Sequence, residues 1–255
     1  MITVGIDVGS ITTKAAVVED GKLIADRIMR TGFNANAAGK TVFDDILADL
    51  NLAVSAIDGI ISTGYGRNSI DFAGKSITEI TCHAAGAHYL SPGIRSVIDI
   101  GGQDSKAISI DAKGAVRNFA MNDKCAAGTG RFLEVMAGAL QVGLEDFGQF
   151  SLNAERPSKI SSLCTVFAES EVISLIAKGE KRENIIAGIH ESIASRVVAM
   201  ANRVGMTAPI MMTGGVAKNV GVLKALEKKL GQSIEVSEKT QVTGAIGAAL
   251  IAQKG

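Results

Sequence analysis

The sequence contains one segment twice, about 92 residues apart. The first copy reads DVGSITTK from Asp7, and the second reads DIGGQDSK from Asp99. Each copy follows a short apolar run, and aligning the two aspartates also aligns Lys14 with Lys106. In both copies the pattern is strand, aspartate, glycine turn, strand, tight turn and strand. The repeat therefore predicts two similar α/β units that face one another.

The segment SPGI at residues 91–94 separates the two copies. We therefore expect a first domain over 1–92 and a second domain over 93–242. The C-terminal segment 243–255 is predicted to form a helix that packs back against the first domain. Apolar residues at helical spacing predict helices over seven ranges: 36–50, 82–90, 129–140, 165–178, 182–204, 217–230 and 243–253.

Composition excludes several classes of function. The 26 basic residues balance 26 acidic ones, which argues against a nucleic-acid partner bound through a broad basic field. No apolar run reaches the roughly 18 residues of a membrane helix, and the N-terminus lacks the basic start of a signal peptide. Three cysteines without framework spacing favour reduced thiols. We expect a cytoplasmic protein with neither a nucleic-acid nor a membrane partner.

The two repeated glycine turns are suited to binding phosphate. Successive backbone N–H groups, joined by the hydroxyls of Ser10, Thr12 and Thr13, can surround an anion. The aspartate that ends each strand would hold Mg²⁺ through water, because magnesium keeps several of its waters. One such loop alone is more often a plain turn. Two facing loops would hold a β,γ-phosphate chain from both sides.

A third glycine turn lies in MTGGVAKN, where a strand leads into a helix. Gly214 and Gly215 would let an adenine or a ribose approach the backbone closely. Three glycine turns in this order favour a nucleotide site over three unrelated turns.

Two lone cysteines precede predicted helices: Cys125 in NDKCAAGTGRFLE and Cys164 in ISSLCTVFAESEV, where Thr165 is a candidate helix cap. A helix N-terminus stabilises a thiolate and also suits an iron–sulfur cluster. A cubane cluster usually takes four cysteines, which only a symmetric homodimer would supply here. Each cysteine taken alone is more often a small buried hydrophobe. Residue reasoning leaves both interpretations open.

The remaining thiol, Cys82, adjoins His83, but no second pair completes a metal site. We predict that Cys82 is a buried residue at the start of a helix. His88 and His190 are predicted to be packing or surface residues.

Taken together, DVGSITTK, DIGGQDSK and MTGGVAKN resemble the superfamily of sugar kinases, actin and heat-shock chaperone ATPases. The resemblance implies an α/β fold of two RNase H-like domains, with ATP or ADP and Mg²⁺ in the cleft between them. It places Gln103 and Asp104 near the attacking water. The implied nucleotide-binding residues are Asp7, Gly9, Ser10, Thr12, Thr13, Lys14, Asp99, Gly101, Gly102, Gln103, Gly214, Gly215, Lys218 and Asn219.

With the two cysteine motifs added, the chain more narrowly resembles the activator components of 2-hydroxyacyl-CoA dehydratases, of the BadF/BadG type. The resemblance implies an ATPase that transfers single low-potential electrons. It implies a homodimer that shares one 4Fe–4S cluster, with Cys125 and Cys164 as metal ligands from each subunit. The implied electron acceptor is a dehydratase, an aromatic-ring reductase or a double-cubane-cluster protein. Ferredoxin or flavodoxin is the implied donor.

Two other classes of function compete with this interpretation. A kinase for a sugar or amino sugar would need a substrate-binding aspartate as general base, and no unambiguous one is evident. A non-catalytic nucleotide-sensing scaffold would need no cluster.

Overall fold

The computed structural model describes residues 1–161 and 164–255. The first of its two sheets has the strand order β3-β2-β1-β4-β5. Its strands are β1 (Ile2–Val8), β2 (Thr12–Glu19), β3 (Lys22–Arg30), β4 (Gly59–Thr63) and β5 (Lys75–Ser76). The central strand β1 pairs antiparallel with β2 and parallel with β4.

The second sheet repeats this arrangement in the order β10-β9-β6-β7-β8. Its strands are β6 (Ser96–Ile100), β7 (Ser105–Ile110), β8 (Val116–Asn122), β9 (Ile210–Thr213) and β10 (Ile234–Val236). Here β6 pairs antiparallel with β7 and parallel with β9, as β1 pairs with β2 and β4. The internal repeat seen in the sequence is therefore a repeat of sheet topology, and the predicted two-domain α/β fold is confirmed.

Eight α-helices accompany the sheets in the described residues: α1 (Ala35–Asp49), α2 (Glu79–Leu90), α3 (Gly130–Leu140), α4 (Leu144–Ser151), α5 (Thr165–Ala177), α6 (Arg182–Val204), α7 (Val220–Leu230) and α8 (Thr243–Ala252). All seven predicted helices are present. The sequence analysis missed α4, which is only eight residues long and contains a glycine, so its apolar pattern is short.

Two helices begin three residues away from their predicted first residue. Helix α2 begins three residues earlier than expected, at Glu79. Helix α7 begins later, at Val220, after a short 3₁₀ turn over Gly215–Lys218. The reason is a side-chain cap, because Oδ1 of Asn219 accepts a hydrogen bond from the N–H of Val222 at 3.0 Å.

Helices α2 and α8 lie between the sheets and pack directly on each other. Glycines allow this contact, since a Cβ on Gly247 would collide with the carbonyl of Cys82. Helix α8 packs on the first sheet, where the Thr3 hydroxyl donates to the Ala249 carbonyl at 2.8 Å. Helix α2 packs on the second sheet, where Ile80 joins one apolar cluster with Val97. The two helices therefore connect the sheets behind the cleft.

Each sheet has its own apolar core. Side chains of β1, β2 and α1 form one cluster, and α3 to α7 cover the second sheet with a larger one. Within residues 1–161 and 164–255, no helix has both the length and the apolar character that crossing a bilayer requires.

Candidate functional site

A cleft of about 790 Å³ lies where the turns after β1, β6 and β9 meet. This volume is within the range of small-molecule and cofactor sites. The cleft lining includes nearly all the predicted nucleotide residues: Asp7, Gly9, Ser10, Thr12, Lys14, Asp99, Gly101, Gly102, Gln103, Gly214, Gly215, Lys218 and Asn219, together with Asp104.

Thr13 is the exception among the predicted residues. Side chains alternate along a strand, so Thr12 and Lys14 face the cleft while Thr13 faces the interior of the first domain. The Thr13 hydroxyl is fully buried and lies 2.9 Å from the Thr31 hydroxyl. The structure therefore corrects the prediction that Thr13 joins the phosphate-binding hydroxyls.

The turns after β1 and β6 are the candidate phosphate loops, called the first and second phosphate loop below. Each begins with an aspartate paired to a lysine across the antiparallel ladder. In the first sheet, Nζ of Lys14 lies 3.3 Å from Oδ2 of Asp7. In the second sheet, Nζ of Lys106 lies 3.0 Å from Oδ2 of Asp99. Both aspartates are buried at the cleft floor. The repeat therefore reproduces a charge pair as well as a backbone shape.

The second pair belongs to a buried network. Nζ of Lys106 also lies 2.7 Å from Oδ2 of Asp104, and the Thr213 hydroxyl donates to Oδ1 of Asp99 at 2.8 Å. Burial favours the neutral form of Asp99, but His83, Lys106 and Thr213 outweigh it and hold the pKa of that carboxyl well below its usual range. Burial also disfavours charged Lys106, but its two carboxylate partners raise the pKa of the ammonium.

Asp104 and Gln103 occupy the tip of the second phosphate loop. Burial raises the pKa of Asp104, and the charge of Asp99 adds to this, while Lys106 opposes it. The Asp104 carbonyl accepts a hydrogen bond from the N–H of Gly101 at 2.9 Å and closes the turn. Gln103 is exposed to the cleft and can reach a bound ligand.

The second phosphate loop is bonded directly to the start of α3. The first N–H groups of a helix lack partners within the helix. In α3 the N–H of Gly130 donates to the Gly101 carbonyl at 2.9 Å, and the N–H of Arg131 donates to the Gly102 carbonyl at 2.8 Å. The phosphate loop and α3 therefore cannot move independently without breaking these bonds.

Several cleft residues were not predicted from the sequence. Tyr65 is largely exposed at the cleft surface, on the turn after β4. Glu79 is buried at the start of α2 and accepts a hydrogen bond from Nη1 of Arg67 at 3.0 Å. His83 lines the cleft one turn later. The segment TGYG at the end of β4 predicts only the end of a strand, and the late predicted start of α2 left Glu79 outside the helix.

Cys125 is half-buried in the loop between β8 and α3. The Asn122 side chain fixes this loop, because its Nδ2 donates to the carbonyls of Cys125 at 2.8 Å and Ala127 at 3.3 Å. Asp123 and Lys124, which precede the cysteine, line the nucleotide cleft. The thiol loop is therefore continuous with the cleft wall.

Cys164 is exposed and occupies the N-cap position of α5. Thr165 is the first helical residue rather than the cap, which corrects the predicted cap, and its buried hydroxyl has no hydrogen-bond partner among residues 1–161 and 164–255. Before the cysteine, the Glu171 carboxylate accepts from the N–H of Ser161 at 2.9 Å. The predicted hydroxyl of Ser162 lies outside the described residues.

Two of the three thiols are accessible at least in part, and the third is buried. In the described part of the chain, no group of three or more His, Cys, Asp or Glu side chains could hold a metal ion. Cys125 and Cys164 are free thiols, so one chain offers two sulfur ligands. Cys82 is fully buried, and burial raises the pKa of its thiol to about 12, which fits a structural role.

Known activators of dehydratases are similar to this chain over nearly its whole length. It is 47% identical over 254 residues to the (R)-2-hydroxyglutaryl-CoA dehydratase activating ATPase of Acidaminococcus fermentans, covering 99% of this chain and 97% of that one. It is 47% identical over 253 residues to the activator of lactoyl-CoA dehydratase of Anaerotignum propionicum, with the same coverage. These relatives are activators of dehydratases, and they give no support to the kinase alternative.

A solved structure supports the fold. The activator of the 2-hydroxyisocaproyl-CoA dehydratase from Clostridium difficile with bound ADPNP superimposes with a TM-score of 0.93 at 42% identity, over 100% of this chain and 95% of that one. The fold is that of the actin-like ATPases, as the resemblance predicted. The model of the BadF/BadG/BcrA/BcrD ATPase family matches residues 4–252. The chain therefore belongs to the BadF/BadG/BcrA/BcrD ATPase family.

Proposed function

We propose that this chain is an ATP-hydrolysing activator that supplies single low-potential electrons to a dehydratase-type enzyme. In this proposal two copies share one 4Fe–4S cluster through Cys125 and Cys164 of each. The observation that carries it is the bonding of Gly130 and Arg131 to the carbonyls of Gly101 and Gly102. This contact joins a candidate phosphate loop to the helix that follows a free thiol.

The cleft residues suit ATP or ADP with Mg²⁺. The turns after Asp7 and Asp99 present backbone N–H groups to the phosphates, and Gly214, Gly215, Lys218 and Asn219 form the adenosine side. Each of the two aspartates is already paired with a lysine. The carboxylates would therefore hold Mg²⁺ through its bound waters rather than by direct coordination. Gln103 and Asp104 would orient the attacking water. The two lysines place positive charge beside the phosphates.

The surface of α5 supports a second copy as the source of the other two sulfur ligands. Four large apolar side chains of this helix are exposed: Val166, Phe167, Ile173 and Ile176. Val166 and Phe167 lie two and three residues after Cys164. Burial of this face against its symmetry mate would bring the two Cys164 residues together at a two-fold axis. When bound there, a 4Fe–4S cluster supplies a one-electron carrier.

Coupling between the nucleotide and the thiols would follow from differential affinity. ATP can favour one arrangement of the cleft only as far as it binds that arrangement better. Any shift of the Gly101–Gly102 carbonyls moves the N-terminus of α3 and the Cys125 loop with it. A movement caused by nucleotide exchange would thus pass to the proposed dimer face through these few residues.

The relatives favour a 2-hydroxyacyl-CoA dehydratase as partner. An aromatic-ring reductase or a double-cubane-cluster protein would be a related acceptor, and ferredoxin or flavodoxin would be the electron donor.

We also propose domain limits at 1–92 and 93–242, with 243–255 returning to the first domain. The three free thiols fit the reducing cytoplasm.

The proposal is tested by anaerobic purification of wild type, Cys125→Ala and Cys164→Ala. We expect brown wild-type protein with about two iron atoms per chain, as one cubane shared by two chains requires. Each variant should lose iron but still bind ADPNP, because neither thiol lines the cleft. Wild-type protein that hydrolyses ATP yet holds no iron after anaerobic reconstitution would refute the electron-transfer role.

A further inference from the structure

His83 lies in α2 and reaches the ends of two strands in the second sheet. Its Nδ1 is 3.1 Å from the Thr213 hydroxyl and 3.4 Å from Oδ1 of Asp99. The ring is almost completely buried, yet it forms part of the cleft lining. A helix that packs against α8 of the first domain thus contacts the strand-end aspartate of the second phosphate loop.

The hydrogen bonds identify which ring nitrogen carries the proton. The Thr213 hydroxyl donates its only proton to Oδ1 of Asp99, at 2.8 Å. Its oxygen can therefore only accept a hydrogen bond from His83. The ionised Asp99 carboxylate can likewise only accept. Nδ1 of His83 must then be the donor to the Thr213 hydroxyl, with the Asp99 carboxylate beside it at 3.4 Å.

The opposite edge of the ring faces the first phosphate loop. A Cβ on Gly244 would lie 3.0 Å from Nε2 of His83 and 3.1 Å from Oδ2 of Asp7, so both atoms border the same small space at the start of α8. The imidazole therefore stands between the aspartates that end β1 and β6.

We propose that His83 is a positioning residue of the nucleotide cleft, holding Thr213 in place through its Nδ1–H group and, through the Thr213 hydroxyl, the Asp99 carboxylate. This inference rests on the proposed ATP hydrolysis in this cleft. Without His83 the Thr213 hydroxyl loses the donor that fixes its rotation, and its hydrogen bond to Asp99 is no longer oriented. Outer partners of this kind orient the groups that contact a metal and its waters. Loss of His83 should therefore lower the hydrolysis rate more than nucleotide affinity.

Amide substitutions test which edge of the ring matters. The amide nitrogen of His83→Asn can take the place of Nδ1, whereas that of His83→Gln reaches the place of Nε2. We expect His83→Asn to keep kcat within about threefold of wild type, and His83→Gln and His83→Ala to lose about tenfold or more. ADPNP affinity should stay within about threefold in all three. Retained kcat in His83→Ala, or rescue by Gln rather than Asn, would overturn the proposal.

Two additions keep the test decisive. His88→Asn, on the same helix but outside the cleft lining, is the control and should leave kcat unchanged.

Should His83→Ala fail to fold, Thr213→Val and Thr213→Ser replace it. The valine removes the hydroxyl and should lower kcat by a similar factor, while the serine keeps the hydroxyl and should not. Equal rates for these two variants would contradict the inference.

A spectroscopic measurement on the wild-type protein does not depend on turnover. Long-range proton–nitrogen NMR spectra of the histidine rings report which nitrogen is protonated. We expect a proton on Nδ1 of His83, and a ring protonated on Nε2 alone would refute the inference. A wild-type protein that neither binds ADPNP nor hydrolyses ATP would instead refute the proposed function, while the spectrum would still decide the hydrogen bond.

Discussion

Lys14 stands directly opposite Asp7 in the β1–β2 ladder, and its Nζ lies 3.3 Å from the aspartate carboxylate. The same register places Lys106 opposite Asp99 in the second sheet. An antiparallel ladder fixes which residues face each other, so a repeat in sequence becomes a repeat of charge pairs at the cleft floor. The second pair is more deeply buried than the first. Its lysine also forms an ion pair with Asp104.

Removing the buried ammonium should destabilise the second domain. Lys106→Met leaves Asp99 without its closest cation in a site with almost no solvent exposure. Breaking a buried ion pair from one side costs about 3–5 kcal/mol, and we expect a loss of this order in the free energy of urea unfolding. Lys40→Met is the matched control, because the Lys40–Asp44 pair on α1 is exposed, and its loss should cost less than about 0.5 kcal/mol. Equal losses in the two variants would contradict the prediction.

His190 should make the protein sensitive to acid. Within the described part of the chain, both ring nitrogens are buried without a hydrogen-bond partner, and burial lowers the pKa of the ring to about 3. Between the unfolded-state pKa of about 6.5 and this value, the unfolded chain binds one more proton, so stability falls as pH falls. From pH 7 to pH 5 this group alone removes about 2 kcal/mol.

The variant His190→Leu tests the assignment. It replaces the ring with an apolar side chain against Phe147 and Gly221, and we expect the pH dependence of unfolding to flatten by that amount. Urea midpoints at pH 7 and pH 5 measure the change. Parallel curves for wild type and variant would show that His190 does not titrate on unfolding.

Gly130→Pro should uncouple the nucleotide from Cys125. Proline suits the first position of a helix but has no N–H, so the variant removes the bond to the Gly101 carbonyl. We expect the alkylation rate of Cys125 to change with ADPNP in wild type and to lose that response in the variant. Thr129 is extended, as the residue before a proline prefers.

Gly130→Ala is the control for this experiment. It adds a Cβ of similar position beside Gly101 and Gly102 but keeps the N–H donor. The alanine variant should therefore retain the nucleotide response. If the proline variant responds as strongly as the alanine variant, the loop-to-helix bond does not transmit the signal.

The exposed face of α5 should control dimerisation. Phe167 is 67% exposed, and Phe167→Asp would bury a charge in the proposed contact between two copies. We expect a dimer-to-monomer shift at micromolar concentration by analytical ultracentrifugation, with loss of iron. Ile28→Asp on strand β3, where the side chain is 41% exposed, should leave the mass unchanged. A dimeric Phe167→Asp protein would refute this interface.

Much of the architecture could be predicted because it depends on patterns among residues close together in the sequence. The repeat, the apolar strands and the spacing in α6 predicted both sheets and seven helices. Predictions were weaker where few residues carry the pattern. Helix α4 and strand β10 are short, and the cap at Asn219 moved the start of α7. Thr13 shows a different limit, because the alternation of side chains along β2 turns it away from the cleft.

By itself the sequence determined the order of glycine loops, the paired aspartates and the two isolated thiols, since each depends on neighbours a few residues apart. Only the tertiary structure decided that His83 and Glu79 belong to the cleft, and that the carbonyls of Gly101 and Gly102 hold α3. These contacts join residues about 30 to 130 positions apart, and the packing of α2 between the sheets is what brings His83 to Thr213. No local pattern encodes such distances, because they arise when helices and sheets bury their apolar faces together.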